Sequence, residues 1–246
     1  MIYILLPAYN EKLNLIRILK KIKTLIKKKN YNIKIVIIDD GSSDETGKFF
    51  SGLKKNHNII YKKHKKNLGL HKALDTGFKY ILSTAKKDDI IVTLDSDNTH
   101  PIENLPLLIN CIKNGGDVVI ASRFVAGSKI IGLKIHRILL SYIAAYLFKI
   151  FFSLKNVTDY TCNYRAYKSK IIFDCYNYYK KFISEKSFAC VADSLIKINK
   201  TNKDINFQEV PLYLKYNLKI GTSKMKVLLT IVRTIMLILK RKFSGF

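Results

Sequence analysis

The chain has 246 residues, of which 48% are apolar, enough to bury the core of one large α/β domain or of one domain with an appendage. Its 44 lysines and arginines outnumber its 18 acidic residues, and the net charge of +26 predicts anionic partners: nucleotide-sugars, nucleic acid or an acidic membrane surface. The first apolar run, residues 2–6, is too short for a signal peptide, and the four cysteines form no C-x-x-C pair, so we expect a cytosolic protein with reduced thiols.

Strands and helices alternate through the first half of the chain. Short apolar runs bounded by turn residues predict strands at residues 2–6, 33–38, 58–61, 90–94 and 117–121. Apolar residues at helical spacing predict helices at 13–26, 70–85 and 101–114, and an S-x-x-E capping box from Ser42 to Glu45 predicts the start of another. This alternation predicts βαβ units and an α/β fold with a mostly parallel, doubly wound sheet.

Two long apolar stretches follow, at residues 130–152 and 225–239. Both have a helical pattern, but Lys134 and Arg137 interrupt the first and Arg233 the second. A membrane-spanning helix needs about 20 mostly apolar residues, and the uninterrupted run at 138–148 is shorter than that. We expect amphipathic helices lying in a membrane interface; the alternative is ordinary core helices packed on the sheet.

The most informative stretch is IIVTLDSDNTHP, residues 90–101. Its apolar strand ends in Asp95 and Asp97, and two carboxylates two residues apart in an extended segment can share one hard cation. Mg²⁺ prefers one or two protein carboxylates, with phosphate oxygens and water completing its shell. The alternative is that Asp and Asn only end the strand in an Asx turn. An EF-hand is excluded, since Thr99 and His100 stand where Asp/Asn and Gly belong.

Polar loops follow three of the predicted strands. They are PAYNE from residue 7, DDGSSD from residue 39 and DSD from residue 95. Because the carboxyl ends of parallel strands meet at one edge of a sheet, these loops can converge on one ligand. An acidic residue after an early strand, here Asp39, commonly accepts hydrogen bonds from a ribose or base.

In order and spacing, these motifs resemble the family 2 glycosyltransferases, inverting enzymes with the GT-A fold. The resemblance runs from residue 2 to about residue 225 and is greatest to the dolichol-phosphate mannosyltransferase group, which transfers a sugar from a nucleotide donor to a polyprenyl phosphate. The matching segments are LPAYNE, IIDDGSSDET, NLGLHKALDTGF, LDSDNTHP, VIASRFVAGS, DYTCNYRAY and VPLYLKYNLKIGTSKM. A GT-A domain at 1–225 and a C-terminal amphipathic helix at 226–246 are therefore expected.

The resemblance implies a role for each matching position. The nucleotide pocket would be lined by Pro7, Tyr9, Glu11, Asp39, Asp95 and Ser96. Mg²⁺ or Mn²⁺ would be bound by Asp97 and Asp95. Donor and acceptor phosphates would be surrounded by Arg123, Arg137, Ser223 and Lys224. The expected catalytic residues are Asp95, Asp97, Arg123 and Arg137.

Several alternatives stay open for these residues. Arg123 could pair with a carboxylate at a strand end, and Asp159 could form an ion pair with Arg165. His100 is expected to be a packed loop histidine rather than a metal ligand. The group usually has an arginine shortly before its G-x-SK segment, where this chain has Lys219, a point charge that does not reproduce the arginine fork.

The implied partners are a nucleotide-diphosphate sugar and a polyprenyl phosphate, with peripheral contact to the cytoplasmic face of a membrane. One rival is a family 2 enzyme acting on a saccharide or glycolipid acceptor. A nucleic-acid-binding protein is a remote rival, because the lysines are scattered and codon bias can account for many of them, and no nucleic-acid partner is expected. A nucleotidyltransferase would usually open with a Gly/Arg-rich phosphate loop, which is not found here.

Overall fold

A seven-stranded sheet with helices packed against it forms the centre of the molecule. The computed structural model describes residues 1–52, 58–221 and 227–244. The strand order is β3-β2-β1-β4-β7-β5-β8, in which only β7 runs antiparallel to its neighbours. A small parallel pair, β6-β9, lies apart from this sheet. The predicted α/β class and mostly parallel sheet are confirmed.

The strands are β1 (Ile2–Ala8), β2 (Ile33–Asp39), β3 (Ile59–Lys63), β4 (Ile90–Thr93), β5 (Val118–Ser122), β6 (Lys129–Ile131), β7 (Arg165–Lys168), β8 (Phe207–Pro211) and β9 (Tyr213–Lys215). The helices are α1 (Lys12–Lys29), α2 (Thr46–Ser51), α3 (Leu70–Leu82), α4 (Leu105–Lys113), α5 (Ile135–Phe152), α6 (Ser169–Tyr178), α7 (Ala189–Thr201) and α8 (Val227–Leu239). Short 3-10 turns precede α4 and follow β9, and a π-helical turn, Lys240–Ser244, continues α8.

The central strands are buried on both faces, which explains why they are continuous apolar runs. Every residue of β1 is buried, as is every residue of β4 and β5. Helices cover the faces of such a sheet, so an alternating pattern of polar and apolar residues is not required. Helix α3 lies so close to β1 that a Cβ built on Gly77 would come within 2.2 Å of Leu5 Cδ1.

The sheet order brings the predicted loops to one edge. Strand β1 pairs in parallel with β2 on one side and β4 on the other, so the loops after Ala8, Asp39 and Thr93 leave three adjacent strands at the same end. The predicted placement of these three strand ends at one edge of the sheet is therefore confirmed.

Two local predictions were wrong. The segment predicted as one helix from residue 130 begins as strand β6, and α5 starts only at Ile135. Between them Gly132 has φ +80°, and a Cβ there would lie 2.8 Å from the backbone nitrogen of Asn217, so only glycine fits this turn. The capping box does not form either: Ser42 Oγ accepts the backbone N–H of Asn10 across the loops, and α2 begins later, at Thr46.

The helices α5 and α8 carry most of the exposed apolar surface. Only Ala145 and Phe148 of α5 are buried. Its exposed residues fall at helical spacing: Ile135, Leu139, Tyr142, Tyr146 and Ile150. The exposed apolar residues of α8 and of the turn after it also fall at helical spacing: Leu229, Val232, Met236, Leu239 and Phe243. Among the described residues, α5 is the one helix long and apolar enough to cross a membrane by length and composition alone.

A buried ion network attaches the end of α8 to α7. Arg241 donates hydrogen bonds to both carboxylate oxygens of Asp193, from Nε at 2.6 Å and from Nη2 at 3.0 Å. Lys197, one turn further along α7, lies 3.3 Å from the same carboxylate, and its ammonium also donates to the carbonyl of Phe182. These contacts fix the position of the C-terminal helix on the rest of the fold.

Candidate active site

A cavity of about 450 Å³ opens where β1 and β4 end. The predicted site residues that line it are Pro7, Tyr9, Glu11, Asp95, Ser96, Asp97, Arg123 and Arg137. Asp39 is not among the lining residues, and Ser223 and Lys224 lie outside the described residues. Eight positions spread over 130 residues of sequence are thus brought together around one space.

Asp97 is held from two sides. Its Oδ1 accepts hydrogen bonds from the Thr99 hydroxyl at 2.7 Å and from the Thr99 backbone N–H at 3.2 Å, so the Asx-type contact considered as an alternative does form. Its Oδ2 lies 2.6 Å from Lys219 Nζ. Burial alone would raise the pKa of Asp97, but the Lys219 ammonium overcomes that effect and lowers it. Asp97 is therefore ionised and paired with the Lys219 ammonium.

Asp95 lies in a different environment. Asn163 Nδ2 donates to its Oδ1 at 3.1 Å, and its backbone N–H donates to His100 Nδ1 at 3.2 Å. Burial raises the pKa of Asp95, and the nearby charge of Asp97 acts in the same direction. His100 is buried and stacks on Tyr164 with 5.3 Å between ring centroids, which agrees with the expected packed loop histidine.

Asp95 and Asp97 are the candidate ligands for a divalent ion at this site. Neither here nor elsewhere among the described residues is a group of three or more His, Cys, Asp or Glu side chains arranged to hold a metal ion. The protein would therefore supply two carboxylates, and phosphate oxygens and water would complete the shell, as Mg²⁺ prefers. Ser96, between them, has a buried hydroxyl with no hydrogen-bond partner among the described residues, which leaves it available to a ligand.

Arg123 is largely committed to the protein itself. It donates to both oxygens of Asp159 at 2.7 Å and also to the hydroxyls of Ser141 and Thr161. Burial alone would lower the pKa of Arg123, but the charge of Asp159 outweighs this and raises it. The alternative pairing of Arg123 with a carboxylate is confirmed, although its guanidinium still lines the cavity.

The alternative pairing of Asp159 with Arg165 is wrong. Arg165 is fully buried, and its guanidinium donates to the carbonyls of Val191 and Tyr160, both at 2.7 Å. Asp159 instead pairs with Arg123, and its backbone N–H donates to the carboxylate of Glu209 on β8 at 2.7 Å. The DYTCNYR loop is thereby attached to the end of β5 and to the middle of β8.

Tyr216 contacts two cationic side chains that line the same cavity. Arg137 Nη1 donates to its hydroxyl at 3.0 Å, and the Arg137 guanidinium carbon lies 5.5 Å from its ring centroid. Lys219 Nζ lies 5.6 Å from the same centroid. Aromatic rings attract cations over their faces, so Tyr216 keeps two positive charges in the lining of the cavity, one of them beside Asp97.

Asp39 lies at the end of β2 and is fully buried. Its Oδ1 accepts the backbone N–H of Ser42 at 2.7 Å, and its Oδ2 accepts the hydroxyl of Tyr61. Lys63 Nζ lies 3.9 Å from the same oxygen. In this structure the carboxylate organises the loop after β2.

The other part of the cavity is apolar. Its walls come from α5, α7 and α8: Leu140, Ile143, Ala144, Leu147, Phe148, Ala189, Ala192, Ile231 and Ile235. The cavity therefore joins a charged end at the strand termini to an apolar groove between three helices.

Sequence reasoning missed Tyr216 and the part that α7 plays. The sequence indicates Lys219 only as the residue that stands in place of an arginine, not as the partner of Asp97. The signal for Tyr216 was present, because it lies three residues before Lys219 in the segment VPLYLKYNLKIG. No local pattern shows that α7 lines the groove, since that depends on long-range packing.

Sequence comparison finds relatives among curated lipid-phosphate sugar transferases. The chain is 31% identical over 170 residues to dolichol-phosphate mannosyltransferase of Pyrococcus furiosus, which covers 69% of this chain and 46% of the relative. It is 29% identical over 166 residues to undecaprenyl-phosphate mannosyltransferase of Micrococcus luteus, covering 67% of this chain and 65% of the relative. The chain thus spans between about half and two thirds of the length of these relatives.

Structure comparison gives the same fold. Glucosyl-3-phosphoglycerate synthase from Mycobacterium tuberculosis in complex with Mg²⁺ and UDP superposes with a TM-score of 0.67 at 18% identity, over 98% of this chain and 79% of that chain. Its complex with Mn²⁺, UDP and phosphoglyceric acid gives a TM-score of 0.66, also at 18% identity, over 99% and 78%. The GT-A fold expected from the sequence is confirmed.

The family model for glycosyl transferase family 2 matches residues 3–175, which include β1, the carboxylate pair, Arg123 and the DYTCNYR loop. This match covers well over half of the chain, so the protein belongs to glycosyl transferase family 2.

Proposed function

We propose that the protein is an inverting glycosyltransferase that transfers a sugar from a nucleotide-diphosphate donor to the phosphate of a polyprenyl lipid. The observation that carries this proposal is the shape of the cavity, which joins the charged strand ends to an apolar groove between α5, α7 and α8. A sugar acceptor would not need that groove, whereas a prenyl chain gains free energy by burying apolar surface there. The named activities of the curated relatives point the same way.

The charged end supplies what transfer from a nucleotide-sugar needs. Pro7, Tyr9, Glu11 and Ser96 would contact the nucleotide, and Asp97 with Asp95 would hold Mg²⁺ or Mn²⁺. A divalent ion stabilises the negative charge that develops on the departing diphosphate. Arg137 adds a positive charge beside it, and Arg123 contributes through its field and through the one N–H that it does not donate to Asp159, Ser141 or Thr161.

The acceptor proposal also agrees with the carboxylates of the cavity. An alcohol acceptor needs a general base within hydrogen-bond reach, whereas a phosphate is already anionic at neutral pH. Beyond Asp95 and Asp97, the acidic residue lining the described cavity is Glu11, and its Oε2 accepts a hydrogen bond from Asn14 at 2.6 Å. Beyond the proposed metal ligands, the described lining therefore offers a saccharide acceptor one carboxylate, and that carboxylate is already hydrogen-bonded to Asn14.

The apolar stripes of α5 and α8 would meet the membrane that carries the acceptor. The groove lies between these two helices, so a lipid could enter it without leaving the interface. With a net charge of +26, an anionic surface would add to this attraction. We propose peripheral docking on the cytoplasmic face, with the chain lying on the membrane rather than crossing it.

A panel of radiolabelled nucleotide-sugars with undecaprenyl and dolichyl phosphate tests the proposal. Label that becomes extractable into chloroform is the expected result, and it requires a divalent ion. Ala144→Phe, which fills the groove, should abolish extraction while leaving nucleoside diphosphate binding intact by calorimetry. Label that appears only in a water-soluble saccharide would instead identify the rival acceptor class.

A further inference from the structure

The contact between Lys219 and Asp97 occupies the place where the divalent ion is proposed to bind. Their side chains are only 11% and 14% exposed, and the Nζ to Oδ2 distance is 2.6 Å. The pair therefore lies within the cavity rather than on the surface, where such pairs contribute little.

A metal ion cannot avoid the ammonium by binding Oδ1, the other carboxylate oxygen of Asp97. Its Oδ1 already accepts two hydrogen bonds from Thr99, so Oδ2 is the oxygen that faces a cation. An ammonium and a divalent ion repel each other at contact distance, most strongly where water is partly excluded. Both cannot sit at the same oxygen.

The Lys219 side chain lies where its ammonium can reach a second anionic partner within the cavity. It follows the 3-10 turn Tyr216–Leu218, its ammonium lies over the Tyr216 ring, and its side chain lines the same cavity as Arg137. A lysine is a point charge on a flexible stem, so it can exchange one anionic partner for another without backbone movement. The diphosphate of a bound donor is such a partner.

We propose that Lys219 is an internal competitor for the metal site, bound to Asp97 in the metal-free protein and transferred to the donor diphosphate when the ion and nucleotide bind together. This rests on the proposed function. Metal alone must then displace the ammonium from Asp97 with no phosphate present to receive it, and binds weakly. Nucleotide supplies that anion, so the two ligands bind with positive coupling, which must be reciprocal.

Titration of the full chain with Mn²⁺, followed by electron paramagnetic resonance of the free ion, tests this without any transfer reaction. Lys219→Met should bind Mn²⁺ alone more tightly, by roughly 10-fold or more, since one charge-assisted hydrogen bond no longer competes. Adding GDP or UDP should then tighten Mn²⁺ binding less in Lys219→Met than in the wild type. Asp97→Ala should remove the Mn²⁺ site.

Lys21→Met is the matched control, because Lys21 Nζ donates to Asn98 Oδ1 at 3.1 Å, one residue from Asp97, and the change in charge is the same. Its Mn²⁺ affinity should stay at the wild-type value. The proposal would be overturned if Lys219→Met and the wild type bound Mn²⁺ with equal affinity. It would also be overturned if Lys21→Met tightened Mn²⁺ binding as much as Lys219→Met does, or if no variant bound Mn²⁺. Failure of the sugar-transfer panel would contradict the proposed function and leave the Mn²⁺ result standing.

Discussion

At the scale of single residues, the polar end of the cavity is built from paired charges. Arg123 is paired with Asp159, and Asp97 with Lys219. Removing one partner of a buried pair leaves an uncompensated charge, which is far costlier than the pair itself is stabilising. A substitution in either pair therefore changes the stability of the fold as well as the charge offered to a ligand, and the two effects need separate measurements.

Asp159→Asn should destabilise the protein by about 3–5 kcal/mol, because it leaves the largely buried Arg123 guanidinium without its counter-charge. Burial alone would raise the pKa of Asp159, but Arg123 overcomes this and holds it below the usual value. That contribution to stability is complete above the unfolded pKa of about 3.9 and is lost as the pH falls through the folded pKa. The variant should thus lose less stability between pH 5 and pH 3 than the wild type, as judged by urea unfolding. Parallel pH curves for the two proteins would show that Arg123 does not depress this pKa.

Asp97→Asn should reduce sugar transfer by roughly 10²- to 10³-fold, as loss of one group that stabilises a developing charge does in other enzymes. The shape of the side chain is kept and Thr99 can still donate to its oxygen, so circular dichroism should remain that of the folded protein, while the melting temperature should fall because Lys219 loses its counter-charge. Turnover close to wild type without added divalent ion would contradict the assignment of this carboxylate to metal binding.

At the scale of helices and strands, the contact of α3 with β1 leaves no room for a methyl group. Gly77→Ala should cost about 1–3 kcal/mol of unfolding free energy, because its Cβ would meet both methyl carbons of the fully buried Leu5 at 2.2 and 2.8 Å. Gly52→Ala is the control, since that position has φ −68° and open space around it. Equal melting temperatures for the two variants would mean that the helix can shift away from the strand.

The exposed stripe of α5 gives a second prediction at this scale. Leu139→Asp should weaken binding to anionic vesicles by roughly tenfold or more, because a leucine can no longer enter the interface and a like charge replaces it. Leu107→Asp on α4, which is also exposed but lies outside both stripes, should float with vesicles as the wild type does. Flotation that is equally impaired in the two variants, or absent in the wild type, would assign the stripe to another role.

At the scale of the whole molecule, the sequence predicted the half of the fold whose signals are local. Buried parallel strands appear as apolar runs, and the loops after β1, β2 and β4 carry the polar residues that mark the site. The second half was harder, because β7 is a four-residue strand inserted between β4 and β5, and its register depends on partners more than 40 residues away. Arg165, the first residue of β7, is fully buried, and its guanidinium donates hydrogen bonds to backbone carbonyls. The pattern of charges in the sequence does not reveal that this arginine is buried. The apolar groove was missed because it is formed by packing of α7 against two helices whose apolar faces had been assigned only to a membrane or to the core.

The insertion of β7 also sets an order in which the sheet can be completed. Strands β3, β2, β1 and β4 form one continuous parallel block, whereas β5 pairs only with β7 and β8 within the described sheet. During synthesis the edge of β4 that pairs with β7 therefore stays unpaired until Arg165–Lys168 has left the ribosome. That segment is some 70 residues further along the chain. Unpaired strand edges are sites of mispairing between chains, so the edge of β4 is open to such mispairing while the chain from β4 to β7 is being synthesised.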